Sequence, residues 1–197
     1  MTVATILSRA SVGVHAQLVS IETHLSPGLP AFHLVGLPET AVRESKDRAR
    51  SAIINSGYEF PTRRITVNLA PANLPKHGTR FDLAVALGIL AASNQIPNNQ
   101  LDMLECIAEL ALTGRLRPVR GILPAALAAR DSNRATVTAN GDGVEAALVS
   151  GLQVYAGTTL NVVCRHLNDV ERMPNTAFIA THNHASPEAG YPRPISR

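Results

Sequence analysis

Tryptophan is absent from this 197-residue chain, and aromatic residues make up only 4% of it. Platforms that stack nucleic-acid bases on Phe, Tyr and Trp are thereby excluded as a main binding mode. Charge is scarce too, at 17% Asp, Glu, Lys and Arg, below the roughly 25% of ordinary soluble domains. The two cysteines, Cys106 and Cys164, are isolated in sequence, which suits reduced core thiols in the cytoplasm. The seven histidines do not cluster with them, and His182 and His184 sit in a polar stretch that makes a weak metal site. No Gly-Lys pair occurs anywhere, so the loop whose amides and lysine cradle nucleotide phosphates cannot be built. No apolar run is long enough to span a bilayer. The N-terminal MTVATILSRASVG lacks a charged leader ahead of an apolar run, so no secretory signal is read there. A cytoplasmic protein with no membrane partner is expected.

What remains is 45% hydrophobic and carries a formal charge of +3. That supports one domain with an Ala/Leu/Val/Ile core, followed by a tail. A pI near 9.2 permits a nucleic-acid partner without requiring one.

The chain is organised around Asn68 to Ala92. A β-rich run, Ile65 to Leu69, enters a loop holding Pro71, Pro75, Lys76, His77, Gly78 and Thr79, and the loop feeds an apolar helix starting near Arg80. That helix is apolar nearly all round and should be central and buried. Asp82 at its mouth is expected to cap it or to pair with Lys76 or Arg80. Upstream, Thr2–Arg9 and Val14–Thr23 alternate around a turn at Ala10–Gly13 and predict a hairpin. Ala31–Val35 predicts a third strand. A helix is expected from Pro38 to about Asn55, stopped by Gly57. Val42, Ser45, Ala49, Ala52 and Ile53 form its inner face. Arg43, Lys46 and Arg50 stripe the outer one, which is either a solvated face or a phosphate contact. Glu39–Arg43 and Glu44–Arg48 are candidate i,i+4 pairs.

The fourth strand enters through the doublet Arg63-Arg64. Downstream, Thr113-Gly114 predicts a hairpin ending in Arg115, Arg117 and Arg120. Helices follow at Gly121–Arg130, Gly143–Ser150 and Thr158–Leu167, the last capped by Thr158. Strands are expected at Ala135–Ala139 and Leu152–Tyr155. From about Pro174 periodicity vanishes. Catalysis finds little support in the central loop, because no serine lies between Ser56 and Ser93. Thr79 is its lone hydroxyl, and a lone hydroxyl is no catalytic motif.

Several segments resemble the ComM/YifB family of magnesium-chelatase-like (ChlI-like) bacterial proteins. They are Leu34-Val35-Gly36-Leu37-Pro38, Asn68-Leu69-Ala70-Pro71-Ala72, Lys76-His77-Gly78-Thr79-Arg80-Phe81-Asp82-Leu83 and the run Glu109 to Gly121. The resemblance covers roughly residues 1–170. It implies an α+β fold of the Lon-protease-like type, shared with the second domain of a ribosomal small-subunit protein, with a mixed sheet packed by helices. Residues 171–197 are then a flexible tail or linker. It also implies that this domain precedes an AAA+ ATPase module, which is absent from this chain and carries ATP and Mg. The family activity so implied is that of a ring-shaped, hexameric DNA helicase promoting branch migration during natural transformation.

The Lon-type comparison tests for a protease. Its serine–lysine dyad positions match Arg80 and Leu123. An arginine does not attack a carbonyl and a leucine accepts no proton, so no peptidase activity is expected. A binding or assembly role remains. Arg43, Lys46, Arg50, Arg63, Arg64, Lys76, Arg80, Asp82, Arg115, Arg117 and Arg120 are the candidates for contact with DNA, single-stranded or branched, or with a neighbouring subunit. No catalytic residue, resident cofactor or metal site is expected. A Lon-like peptidase and a chelatase-type assembly factor are the alternatives.

Overall fold

The computed structural model describes residues 2–176, so residues 177–197 of the expected tail lie outside the described residues. Strands β1 (Thr2–Val12) and β2 (His15–Ser26) form the expected hairpin. Its two-residue turn places Gly13 at φ +59°, a conformation that favours glycine. β3 (Ala31–Val35) pairs in parallel with β4 (Arg64–Ala70), which pairs antiparallel with β2. On the other side of β1, β5 (Leu104–Ile107), β8 (Ala135–Ala139) and β9 (Val154–Gly157) add in parallel. The sheet order is β3-β4-β2-β1-β5-β8-β9. A separate hairpin joins β6 (Glu109–Leu110) to β7 (Leu116–Arg117).

Helices α1 (Thr40–Arg43), α2 (Ser45–Asn55), α3 (Asp82–Ala92), α4 (Ile122–Asp131), α5 (Asn140–Ala146) and α6 (Leu160–Leu167) complete the described chain. The expected α+β class is met: a mixed, mainly parallel seven-stranded sheet packed with helices. Two cores sit on its two faces. α2, α3 and α6 pack on the first with Ile6, Ile21, Val67 and Cys106. α4 and the segment around Ala146 pack on the second with Ile107 and Val154. Neighbours Cys106 and Ile107 point to opposite faces, as strand alternation demands. All eleven residues of α3 are buried, so the apolar run after Asp82 reflects a helix enclosed on every side. Both cysteines are free and buried.

Several boundaries differ from expectation. The single helix from Pro38 to Asn55 is two, divided by a turn at Glu44, and it starts only at Thr40 because Pro38 and Glu39 are held in the neighbouring loop. Pro38 bridges Lys76, and Glu39 N–H donates to Lys76 O at 3.2 Å. The expected inner face is nonetheless buried throughout. α5 starts at Asn140, three residues early, where the Asp142 carboxylate in its first turn accepts from Val119 N–H at 3.0 Å. Thr159, not Thr158, caps α6, its side chain accepting from Val162 N–H at 3.3 Å. Packing also continues past residue 170: Met173 is buried and Asn175 bridges Tyr155 of β9.

Candidate functional site

The central loop turns its charges inward. Gly36 lies so close to β4 that a Cβ there would sit 2.1 Å from Leu69 O. Lys76 is fully buried, and its Nζ donates to Gly36 O at 2.8 Å and to Pro71 O. Burial pushes its ammonium down from the usual value. Asp82 is fully buried as well. It pairs neither with Lys76 nor with Arg80, but accepts from Arg48 Nε at 2.6 Å, Arg48 Nη2 at 3.0 Å and Leu110 N–H at 3.2 Å. It offers no side-chain cap to α3. The cost of burial raises its carboxyl to about 6, against the lowering effect of Arg48; Arg48 is raised in turn by its hydrogen bond to Asp82. Of the two expected helix pairs, Glu44–Arg48 forms at 3.4 Å, while Glu39 instead meets His77 Nδ1 at 2.5 Å.

Arg80 is 7% exposed. Its Nη1 donates to Arg9 O at 3.3 Å and its Nη2 to Arg120 O, and burial pushes its guanidinium down. The segments carrying Arg80 and Leu123 therefore meet in space. Leu123 packs against the second core. Neither side chain is a nucleophile or a base, and Thr79 Oγ1 is spent on Glu109 Oε2 at 2.5 Å. Lys76, Arg80 and Asp82, expected as contacts for DNA or a neighbouring subunit, are internal: each holds one part of this chain to another. Arg48 and Glu109 are what sequence reasoning missed. Arg48 is 34 residues from Asp82, and helical spacing pointed it only to Glu44.

The remaining basic candidates are exposed. Arg43 Nε donates to Pro38 O at 3.2 Å. Lys46 Nζ stands 6.0 Å over the Phe32 ring and the Arg50 guanidinium 4.9 Å over that of Phe60. Phe32 lies on β3, in register with Ile65, next to the Arg63-Arg64 doublet. The α2 stripe and the doublet thus flank the same sheet edge. Arg115, Arg117 and Arg120 form a second group on and after the β6–β7 hairpin, where Arg117 pairs with Glu109 at 3.2 Å. The hairpin is tied to the end of α2 by Asn55 Nδ2, which donates to Leu112 O at 2.7 Å. Among the described residues, Arg43, Lys46, Arg50, Arg63, Arg64, Arg115 and Arg120 form no ion pair. No group of three or more His, Cys, Asp or Glu is placed to hold a metal among them, and no helix is long and apolar enough to cross a membrane.

A family model described as subunit ChlI of Mg-chelatase matches residues 21–141. Competence protein ComM of Haemophilus influenzae is 53% identical over 174 residues, 88% of this chain and 34% of that protein. The uncharacterized protein YifB of Escherichia coli is 47% identical over 167 residues, 85% of this chain and 33% of that protein. The chain thus spans about a third of the length of these curated relatives. With a match over most of its sheet and both basic groups, the chain belongs to the magnesium-chelatase ChlI family and stands there beside the ComM and YifB proteins.

Proposed function

We propose that this chain is the non-catalytic N-terminal module of a ComM-like, ring-forming DNA-processing ATPase, and that it contributes subunit contacts and sequence-independent contact with DNA. The observation that carries the reading is the exposed stripe Arg43, Lys46 and Arg50 beside Arg63 and Arg64, with no carboxylate paired to any of them. Cations at the end of α1, on α2 and at the start of β4, with no carboxylate of their own chain paired to them, attract a phosphate backbone without reading base edges. The Haemophilus influenzae relative is a competence protein, which supports a role in natural transformation. Branch migration by a hexameric helicase in the cytoplasm is the specific form of that role. ATP and Mg belong to the ATPase module of the longer protein, since this chain has no Gly-Lys pair for a phosphate loop. Arg80 and Leu123 at the dyad positions support the non-catalytic part of the reading.

The test is DNA binding by fluorescence anisotropy across a salt series. Replacing Arg43, Lys46 and Arg50 together by Ala is expected to weaken binding to single- and double-stranded DNA alike. On duplex DNA the slope of log K against log salt should shrink by about 2–3, from roughly 0.9 per lost phosphate contact. Unchanged binding and slope would remove the α1–α2 face from the footprint. Turnover of casein by the purified chain would overturn the non-catalytic assignment.

A further inference from the structure

β1, β5, β8 and β9 run parallel and side by side. The helix before β5, α3, lies on one face of the sheet, and the helix that precedes β8, α4, lies on the other. In open α/β sheets, ligands bind in the crevice beyond the carboxyl ends of the strands, where the connections diverge to opposite faces. Here that crevice is a cleft of about 420 Å³, bounded by Ser11 near the end of β1, Glu109 just after β5, residues 77–80 and residues 118–120. Its size falls in the range of small-molecule sites, about 300–1,000 Å³.

The charges in this cleft do not cancel. Arg80 is more than nine-tenths buried and lines it. A guanidinium has five N–H donors, and Arg80 gives two of them, to Arg9 O and Arg120 O. Its Nε–H and one hydrogen on each terminal nitrogen meet no acceptor among the described residues, and it forms no ion pair there. Asp142 attracts it from a distance, but Asp142 Oδ2 is already held by Val119 N–H at 3.0 Å and the Thr138 hydroxyl at 3.2 Å. Glu109, the acid lining the cleft, is taken by Thr79 at 2.5 Å and Arg117 at 3.2 Å. His77 is taken by Glu39 at 2.5 Å. Arg120 stands exposed on the rim without an ion pair. The cleft is therefore lined by two arginines, Arg80 and Arg120, and no acid that lines it is paired with either. A mostly buried cation that touches no carboxylate is incompletely compensated, and a planar fork of donors suits an oxygen anion.

We propose that this cleft binds a small oxyanion, a phosphate or carboxylate group, between Arg80 and Arg120. The site is separate from the α2 stripe, and DNA binding through that stripe neither requires it nor tests it. The experiment is an amide NMR titration of the 197-residue chain with inorganic phosphate and, separately, with acetate, against chloride at the same ionic strength. Saturable shifts are expected at the amides of Gly78, Thr79, Val119 and Arg120. Saturation by phosphate alone assigns a phosphoryl ligand, and saturation by acetate alone a carboxylate. Arg120→Gln should weaken binding at least about fivefold, as loss of one charge-assisted hydrogen bond implies, while Arg130→Gln leaves it unchanged. Arg80 also ties β1 to the 118–120 segment, so its variant is Arg80→Lys, used once native amide dispersion is established; it keeps the charge, loses the fork and should weaken binding as well. Absence of saturation at the cleft amides with both anions overturns the proposal. So does an Arg120→Gln chain that binds as tightly as the parent.

Discussion

Asp82 shows at the residue scale how little a charge's type says about its task. Its carboxylate ties α2 to α3 and β6 through Arg48 and Leu110 N–H, yet burial raises its carboxyl from 3.8 to about 6. A folded-state value above the unfolded one means that the folded chain binds the proton more tightly. Stability from this group is therefore greatest below about pH 4 and is lost as pH rises through 6. Two units correspond to about 3 kcal/mol. Urea denaturation of the parent and of Asp82→Asn from pH 4 to 7 should give a stability difference that moves against the parent by about that amount, and a flat difference would show that Asp82 titrates normally. Lys76 makes a second case. Lys76→Met keeps the stem but leaves Gly36 O and Pro71 O without their donor, at a cost of about 1–3 kcal/mol, measured by the same denaturation. The sequence showed Lys76, Arg80 and Asp82 as charges beside a loop. Their inward direction was not legible, because the partners are backbone carbonyls and an arginine on other elements.

At the scale of elements, pattern reading worked where one face of a segment meets one environment. The inner face of the helical region 38–55 and the enclosure of α3 were both legible from apolar spacing. The late start of α1 at Thr40 was not, because it follows from the bridge between Pro38 and Lys76. The loop that makes this bridge depends on Gly36, which has φ +99° and lies against Leu69 O. Gly36→Ala is expected to cost about 3 kcal/mol or more, from backbone strain and overlap together, read as a fall in the denaturation midpoint. Leu87→Ala in the middle of α3 should cost about 2–5 kcal/mol through the cavity it leaves, and calorimetry should show it as a lowered melting temperature.

For the whole molecule, the chain spans about a third of the length of its ComM and YifB relatives, and under the proposed function its modest net charge of +3 predicts that a single copy binds DNA only weakly. Non-specific affinity of the isolated chain is expected near 10⁻⁴–10⁻⁶ M, order of magnitude, at physiological salt. Joined to a ring-forming ATPase module, repeated copies should bind about 10²–10⁴ times tighter by effective concentration alone. Anisotropy titrations of the two forms at one salt concentration check this, and equal affinities would remove multivalency from the account.

Local spacing and residue type were enough for most of the strand and helix succession, though not for β5 or for the turn between α1 and α2, and for the apolar faces, the family and the two side chains at the dyad positions. Those properties survive without knowing what lies across the core. Which charges are surface and which are scaffold was settled by the three-dimensional fold. It left Arg43 exposed and placed Lys46, Arg50, Arg63 and Arg64 outside along one sheet edge, and it closed Lys76, Arg80 and Asp82 within the chain. The physical reason is that burial of a charge depends on partners brought from distant segments: Arg48 lies 34 residues from Asp82, and Arg9 O lies 71 residues from Arg80. Such pairings leave no period in the sequence.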